Sequence, residues 1–204
     1  MLIFFPSDNP QRLWRAGRRD GRESAARRRD GCAGAVSARC RAEFAGPSRR
    51  CRAPVFVQSF EAANLRELRT AHRVKAPLVF LAGAGSPYND PKPYEQYLAP
   101  AGLRELAGIV DGIGPEKGLV IPRAADGSLG TPTSLITDAH AQGRRVHPYT
   151  FRAENQFLPV NLRNGTVPAE YGRILDELAA YLAAGVDGVF TDHPDLGVLA
   201  RSLA

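Results

Sequence analysis

The stretch "GVDGVFTDHPDL", residues 185 to 196, decides the reading of the fold. Gly185 ends a helical pattern, Val186, Val189 and Phe190 are apolar, and Asp192, His193, Pro194 and Asp195 follow at once. A short apolar run closed by a polar cluster reads as a buried strand that ends at a working surface. Just upstream, "PAEYGRILDELAAYLAAG" (168–185) has helical spacing. Tyr171, Ile174, Leu175, Leu178 and Leu182 share one face, Pro168 opens the helix and Gly185 closes it.

The same alternation continues outward. "RVHPYTFR" (145–152) predicts a strand, and "TPTSLITDAHAQG" (131–143) a helix with Thr131 as N-cap, Pro132 at the first position and Gly143 as stop. "VDGIGPEK" (110–117) predicts a short strand with its exit loop, and "GLRELAGI" (102–109) a short helix. "SPYNDPKPYEQYLAP" (86–100) reads as a Pro-rich loop, and "APLVFLAG" (76–83) as a strand covered on both faces. "EAANLRELRTAH" (61–72) predicts a helix on Leu65 and Leu68, and "PVFVQSF" (54–60) a strand. Five strands with helices or long crossovers between them predict an α/β fold on a parallel sheet, a closed (β/α) barrel or a doubly wound sheet. No GxGxxG or GxxxxGK[ST] follows any strand, so a nucleotide-binding fold gains no support. In a barrel the polar residues at the strand exits face the working mouth. These are Gln58 and Ser59, Glu116 and Lys117, His147 to Arg152, and Asp192 to Asp195.

Composition separates the first quarter from the rest. The chain has 204 residues and a net charge of +6. Residues 1–52 carry 13 Arg and 5 acids, or +8, and residues 53–204 carry 14 basic and 16 acidic residues, or −2. The body is near neutral and offers no basic face for a nucleic-acid backbone. The Arg-, Ala- and Gly-rich residues 1–53 lack apolar periodicity and are expected to be disordered or loosely helical. A mis-called start or a basic RNA-binding arm would give the same composition. Cys32, Cys40 and Cys51 fit no CxxC pattern and read as incidental. "MLIFFP" is too short for a signal-peptide core, and no run approaches a membrane span. The expectation is a chain without an export signal.

"VFVQSFEAANLREL", "VDGIGPEK", "VHPYTFR" and "GVDGVFTDHPD", in that order, resemble the C-terminal part of the glycerophosphodiester phosphodiesterase family, its periplasmic-type branch most of all. The resemblance covers residues 54–204. It implies a (β/α)8 TIM-type barrel, with the strands here similar to the fourth through the eighth. It also implies hydrolysis of a glycerophosphodiester to glycerol 3-phosphate and an alcohol, with a divalent cation (Ca²⁺ or Mg²⁺) and two histidines. The family's HRG, Glu-x-Asp with its downstream His, and Glu-x-Lys motifs belong to earlier strands and do not occur in this sequence. His72-Arg73 is followed by Val and is not the HRG motif. Without carboxylate ligands or paired histidines the chain alone is expected to be inactive. The competing reading is a non-catalytic half-barrel fragment, or a misassigned reading frame, that associates through exposed sheet edges.

Six residues are candidates for the substrate pocket: Gln58, His147, Tyr149, Phe151, Arg152 and Asp192. His147 reads either as an acid or base at the mouth or as a hydrogen-bonded core residue. Tyr149 and Phe151 share a face by the period of two and either wall the pocket or pack under helices. Arg152 can bind a phosphate bidentately or make a loop salt bridge. Asp192 can orient a mouth residue or support an Asx-type turn. Glu116, Lys117 and Glu154 could reach the mouth, although acids from three loops do not by themselves make a metal site. His140 and His193 are expected to face solvent.

Overall fold

The computed structural model describes Leu2–Phe4 and residues 55–204. Apart from Leu2–Phe4, the expectation of a disordered Arg-rich segment lies outside the described residues, as do the three cysteines. The elements run β1 (Leu2–Phe4), β2 (Val57–Ser59), α1 (Ala62–Thr70), β3 (Leu78–Ala82), α2 (Tyr94–Leu98), α3 (Pro100–Leu106), β4 (Gly112–Pro115) and α4 (Lys117–Val120). They continue α5 (Leu135–Ala141), β5 (Arg145–Val146), α6 (Ile174–Ala184), β6 (Val189–Thr191) and α7 (Pro194–Leu203). None of the described helices is long and apolar enough to cross a membrane.

β2, β3, β4 and β5 lie side by side in chain order, every pair parallel. β6 runs parallel beyond β5. Asp187 and Phe190 donate their N–H groups to Val146 O and Pro148 O, both at 2.9 Å, and Thr191 bridges Phe151. The outer edge of β6 carries β1 antiparallel, with Leu2 opposite Thr191 and Phe4 opposite Val189. An open sheet would leave two edges exposed. Here the β6 edge is paired, and β2 is the edge that meets one neighbour among the described strands.

Alternation along the strands divides the core. Leu78, Phe80 and Ala82 of β3 join Ile113, Val146 and Val189 under the helices, together with Leu65, Leu103, Leu178 and Tyr181. Val79 and Leu81 point the other way and cluster with Phe190, Phe56 and Tyr149. Gly114 of β4 sits on this second face, where a Cβ would lie 2.6 Å from Leu81 Cδ2 and 3.2 Å from His147 O. A side chain there would displace the packing, so glycine sets how closely the inner residues meet.

Two aspartates tie helices to strands at the opposite end of the sheet, and each sits in a Val-Asp-Gly. Asp111 Oδ2 accepts the Leu78 N–H at the start of β3 (2.9 Å) and Arg69 of α1 (2.5 Å). Asp187 Oδ2 accepts the Val146 N–H in β5 (2.9 Å) and contacts His140 Nε2 of α5 at 2.6 Å. In both cases the aspartate before one strand binds the preceding strand and the helix that leads into it. Burial opposes ionisation of Asp187, but the hydrogen bonds from His140 and the Val146 N–H outweigh it and hold the carboxyl below its ordinary range. His140 therefore does not face solvent freely, as its helical position suggested.

Three elements depart from their predicted bounds for tertiary reasons. α5 starts at Leu135 because Thr133 is held by other partners, its N–H donating to Val120 O and its hydroxyl accepting the Leu135 N–H. Gly143, at φ 66°, ends that helix region as predicted. α6 starts at Ile174, because the segment from Pro168 to Arg173 bonds back to Ala153, Asn155, Gln156 and Leu162 instead of coiling. The predicted Pro-rich loop contains α2, whose Tyr94 and Tyr97 pack on Phe80 at 6.0 and 5.0 Å.

The loop between β5 and α6 is organised by Asn155, 2% exposed. Its Oδ1 accepts the Asn164 N–H, and its Nδ2 donates to Asn164 O and Val167 O, all within 2.9 Å. Asn155→Ala removes three hydrogen bonds that the buried amide makes to the loop backbone and should cost about 2 kcal/mol. Urea unfolding measures this, and an unchanged midpoint would show that the loop is held by something else.

Candidate functional site

The C-terminal ends of the parallel strands gather Gln58 of β2 with Phe60 after it, Gly83 after β3, Glu116 after β4, Tyr149 and Arg152 after β5, and Asp192 after β6. Tyr149 spans this rim from β5 to β3, its hydroxyl donating to Ala82 O at 3.0 Å. Gly83 makes room for it, since a Cβ there would lie 3.1 Å from the hydroxyl. Burial, with the charge of Glu116 adding to it, pushes the Tyr149 phenol up to about 12, so it stands as a neutral hydroxyl. Phe60 meets the Tyr149 ring edge-on at 5.9 Å. Gln58 is exposed on the same strand.

Arg152 is the best-positioned polar group on the rim. Its Nε donates to Asp192 Oδ2 at 2.7 Å, and its guanidinium lies 4.4 Å from the centre of the Phe157 ring. The side chain is 41% exposed, and its two terminal nitrogens make no hydrogen bond among the described residues. Asp192 thus orients a rim residue. The turn that follows is supported by Thr191, whose hydroxyl accepts the His193 N–H at 3.0 Å and donates to Phe151 O at 3.0 Å. A clamped, planar guanidinium with an open edge is a docking group for a carboxylate or a phosphate.

The family model described as "Glycerophosphoryl diester phosphodiesterase family" matches residues 24–196. A relative, the glycerophosphodiester phosphodiesterase GDPD6 of Arabidopsis thaliana, is 36% identical over 141 residues, covering 68% of this chain and 35% of that protein. The chain belongs to the glycerophosphoryl diester phosphodiesterase family. The match begins at residue 24, inside the Arg-rich segment and upstream of the motifs that carry the resemblance. The alignment spans about a third of the length of the Arabidopsis relative. The family fold is a TIM barrel, and the four-stranded parallel sheet with intervening helices agrees with it.

Family membership makes the placement of the remaining candidates informative. His147 is fully buried between Phe56 and Phe190, at ring distances of 5.2 and 6.4 Å, and lies below the rim. Burial, opposed by the charge of Asp187, lowers its pKa to about 4 and keeps the ring neutral. Phe151 does not share a face with Tyr149. It packs under the helices against Tyr181 of α6 at 4.8 Å. The reason is a change of hydrogen-bond partner: the Tyr149 N–H bonds β4 at Pro115 O, whereas the Phe151 N–H bonds β6 at Phe190 O.

Lys117 also turns away from the rim. Its Nζ contacts both oxygens of Glu177 at 2.8 and 3.0 Å and donates to Phe157 O at 3.2 Å. His193 is drawn inward too. Its Nε2 lies 3.4 Å from Glu154 Oε2, and its Nδ1 3.5 Å from the Tyr171 hydroxyl.

The acids of the rim are dispersed over separate partners: Glu116 accepts the Gly118 N–H, Glu154 faces His193 and Asp192 holds Arg152. Among the described residues no three His, Cys, Asp or Glu side chains are placed to share a cation. These donors do not fit a hard-cation site, which needs several oxygens converging on one point. Sequence reasoning missed Glu177, Phe157, Phe60 and Asn155. Glu177 carried a signal, since it is an acid within the apolar stripe of α6.

Proposed function

We propose that residues 55–204 form the later strands, about the fourth to the eighth, of a glycerophosphodiester phosphodiesterase barrel. Their rim holds the phosphate of a glycerophosphodiester at Arg152, and this chain does not cleave the diester alone. The observation that carries the reading is the Arg152 side chain, clamped by Asp192 and Phe157 with its outer nitrogens open. Two parallel N–H groups match two phosphate oxygens. Gln58, Tyr149 and Asp192 line the same rim, while His147 and Phe151 serve the core.

Cleavage needs charge stabilisation on phosphorus-bound oxygens, an activated water and a proton for the leaving alkoxide. The described rim supplies an anchor for the phosphate and a neutral phenol. The Ca²⁺ or Mg²⁺ that the family uses finds no fitting donor set among these residues. Calorimetry with glycerol 3-phosphate tests the anchor. Arg152→Lys should weaken binding about ten-fold, because a point charge replaces a fork. Equal binding by a folded Arg152→Lys protein would remove the assignment.

The edge of β2 favours a second reading, self-association of the partial barrel. Val57–Ser59 pairs with β3 on one side, and the other side is unpaired among the described strands. Sedimentation should then give a mass that rises with concentration, and a monomer at every concentration would exclude it.

A further inference from the structure

We propose that the outer edge of β6 is a docking edge for a second copy of this chain, and that β1 holds it closed. β6 continues the parallel strands, yet the strand beyond it runs antiparallel. Which groups of β6 face outward follows from its inner bonds. The Phe190 N–H donates to Pro148 O at 2.9 Å, Phe190 O accepts the Phe151 N–H at 2.8 Å, and the Asp192 N–H donates to Phe151 O at 3.2 Å. Phe190 and Asp192 thus face β5. Val189 and Thr191, on either side of Phe190, turn their N–H and C=O groups outward.

β1 meets those two residues, Phe4 opposite Val189 and Leu2 opposite Thr191. These are therefore the hydrogen-bonded pairs of the ladder, and Ile3, opposite Phe190, turns its N–H away from β6. The cap exchanges an edge with two outward residues for one with a single outward residue between them. A ladder of three residues is short, so the cap is displaceable. A second copy fits the same place. Two β6 strands related by a two-fold axis at Phe190 set Val189 of one protomer opposite Thr191 of its partner, twice over. That is the antiparallel register β1 occupies, so the two pairings exclude each other. α7, which lies against β1, exposes Val198, Leu199 and Leu203, and such an apolar flank favours burial against another chain. The open edge of β2 is a separate surface at the other end of the strand order.

The test uses the full chain. Phe4→Pro removes an N–H that bonds β6, whereas Ile3→Pro removes one that faces away. Hydrogen exchange of the dilute wild type should protect the Val189 and Thr191 amides. In dilute Phe4→Pro the same amides should exchange at least about ten-fold faster, and in Ile3→Pro they should stay protected. As Phe4→Pro is concentrated, sedimentation should show a dimer, with protection of both amides restored. Gln58→Pro added to Phe4→Pro blocks the outward N–H of β2, since its neighbour Val57 bonds inward to Pro77 O, and should leave that dimer in place. Circular dichroism confirms that each variant is folded. Unprotected Val189 and Thr191 amides in the wild type, or equal loss of protection in Ile3→Pro, would overturn the cap. A Phe4→Pro chain that stays monomeric, a dimer that leaves these amides unprotected, or one that Gln58→Pro dissolves would overturn the docking edge.

Discussion

Lys117→Met should destabilise the protein by about 3–5 kcal/mol, a large share of the stability of an ordinary domain. Lys117 is 12% exposed, and its partner Glu177 only 1%. Burial pushes the Glu177 carboxyl up, and Lys117 opposes that shift through its charge and hydrogen bonds. The two short contacts to Nζ favour the ionised pair in the folded state. Removing the ammonium leaves the buried carboxylate without its hydrogen-bonding cation. The same lysine receives the Tyr181 hydroxyl at its carbonyl oxygen, 2.8 Å away, so the pair pins α6 to the turn after β4. The double variant Lys117→Met with Glu177→Leu should recover most of the loss, because no charge is then buried. Urea unfolding of the three variants measures this. A single variant as stable as the wild type would show that the pair does not hold α6.

The second large effect is acid sensitivity at His147. The folded pKa, about 4, lies below the ordinary histidine value of about 6.5. The unfolded chain therefore takes up a proton that the folded chain refuses. Stability from this group is full above about pH 6.5 and falls as pH drops toward 4, by about 3 kcal/mol in total. Asp187 acts lower on the scale. Its folded carboxyl is depressed, so its contribution is present above the unfolded value of about 3.9 and is lost as pH falls through the folded one. Between about pH 6.5 and 4.5 the raised carboxyl of Glu177 works against the slope from His147, so the contribution of His147 is read from the difference between variant and wild type. His147→Gln should flatten it, with the stability difference between variant and wild type shrinking as pH falls. Urea midpoints at pH 7, 6 and 5 decide the matter. An equal slope in both proteins would mean that the imidazole is solvated.

Much of the sheet was legible because its strands are short apolar runs between strong punctuators. Gly143 and Gly185 stop helical segments where the sequence places the stops, each with positive φ. The family signature was legible for the same reason, since "VDGIGPEK" and "GVDGVFTD" are strand starts and exits. The two Val-Asp-Gly triplets also carry a signal, as each aspartate binds the preceding strand. What was not legible is pairing over distance. His140 and Asp187 are 47 positions apart, and Glu154 and His193 are 39 apart, so a polar residue in a turn looks solvent-facing until its partner is placed. The reading of Tyr149 and Phe151 as one face failed because a period-two argument assumes one unbroken ladder. The chain changes hydrogen-bond partner between them. At the rim, Arg152 and Asp192 stand 40 positions apart in the sequence, and only the fold joins them.

On the proposal above, this rim binds a glycerophosphodiester through Arg152 without cleaving it. Phosphorus NMR of glycerophosphocholine incubated with the chain and Ca²⁺ reads binding and hydrolysis together. The diester resonance should broaden with the wild-type protein, broaden much less with Arg152→Lys at the same concentrations, and persist undiminished in both. Appearance of a glycerol 3-phosphate resonance that chelation of the metal abolishes would contradict the claim.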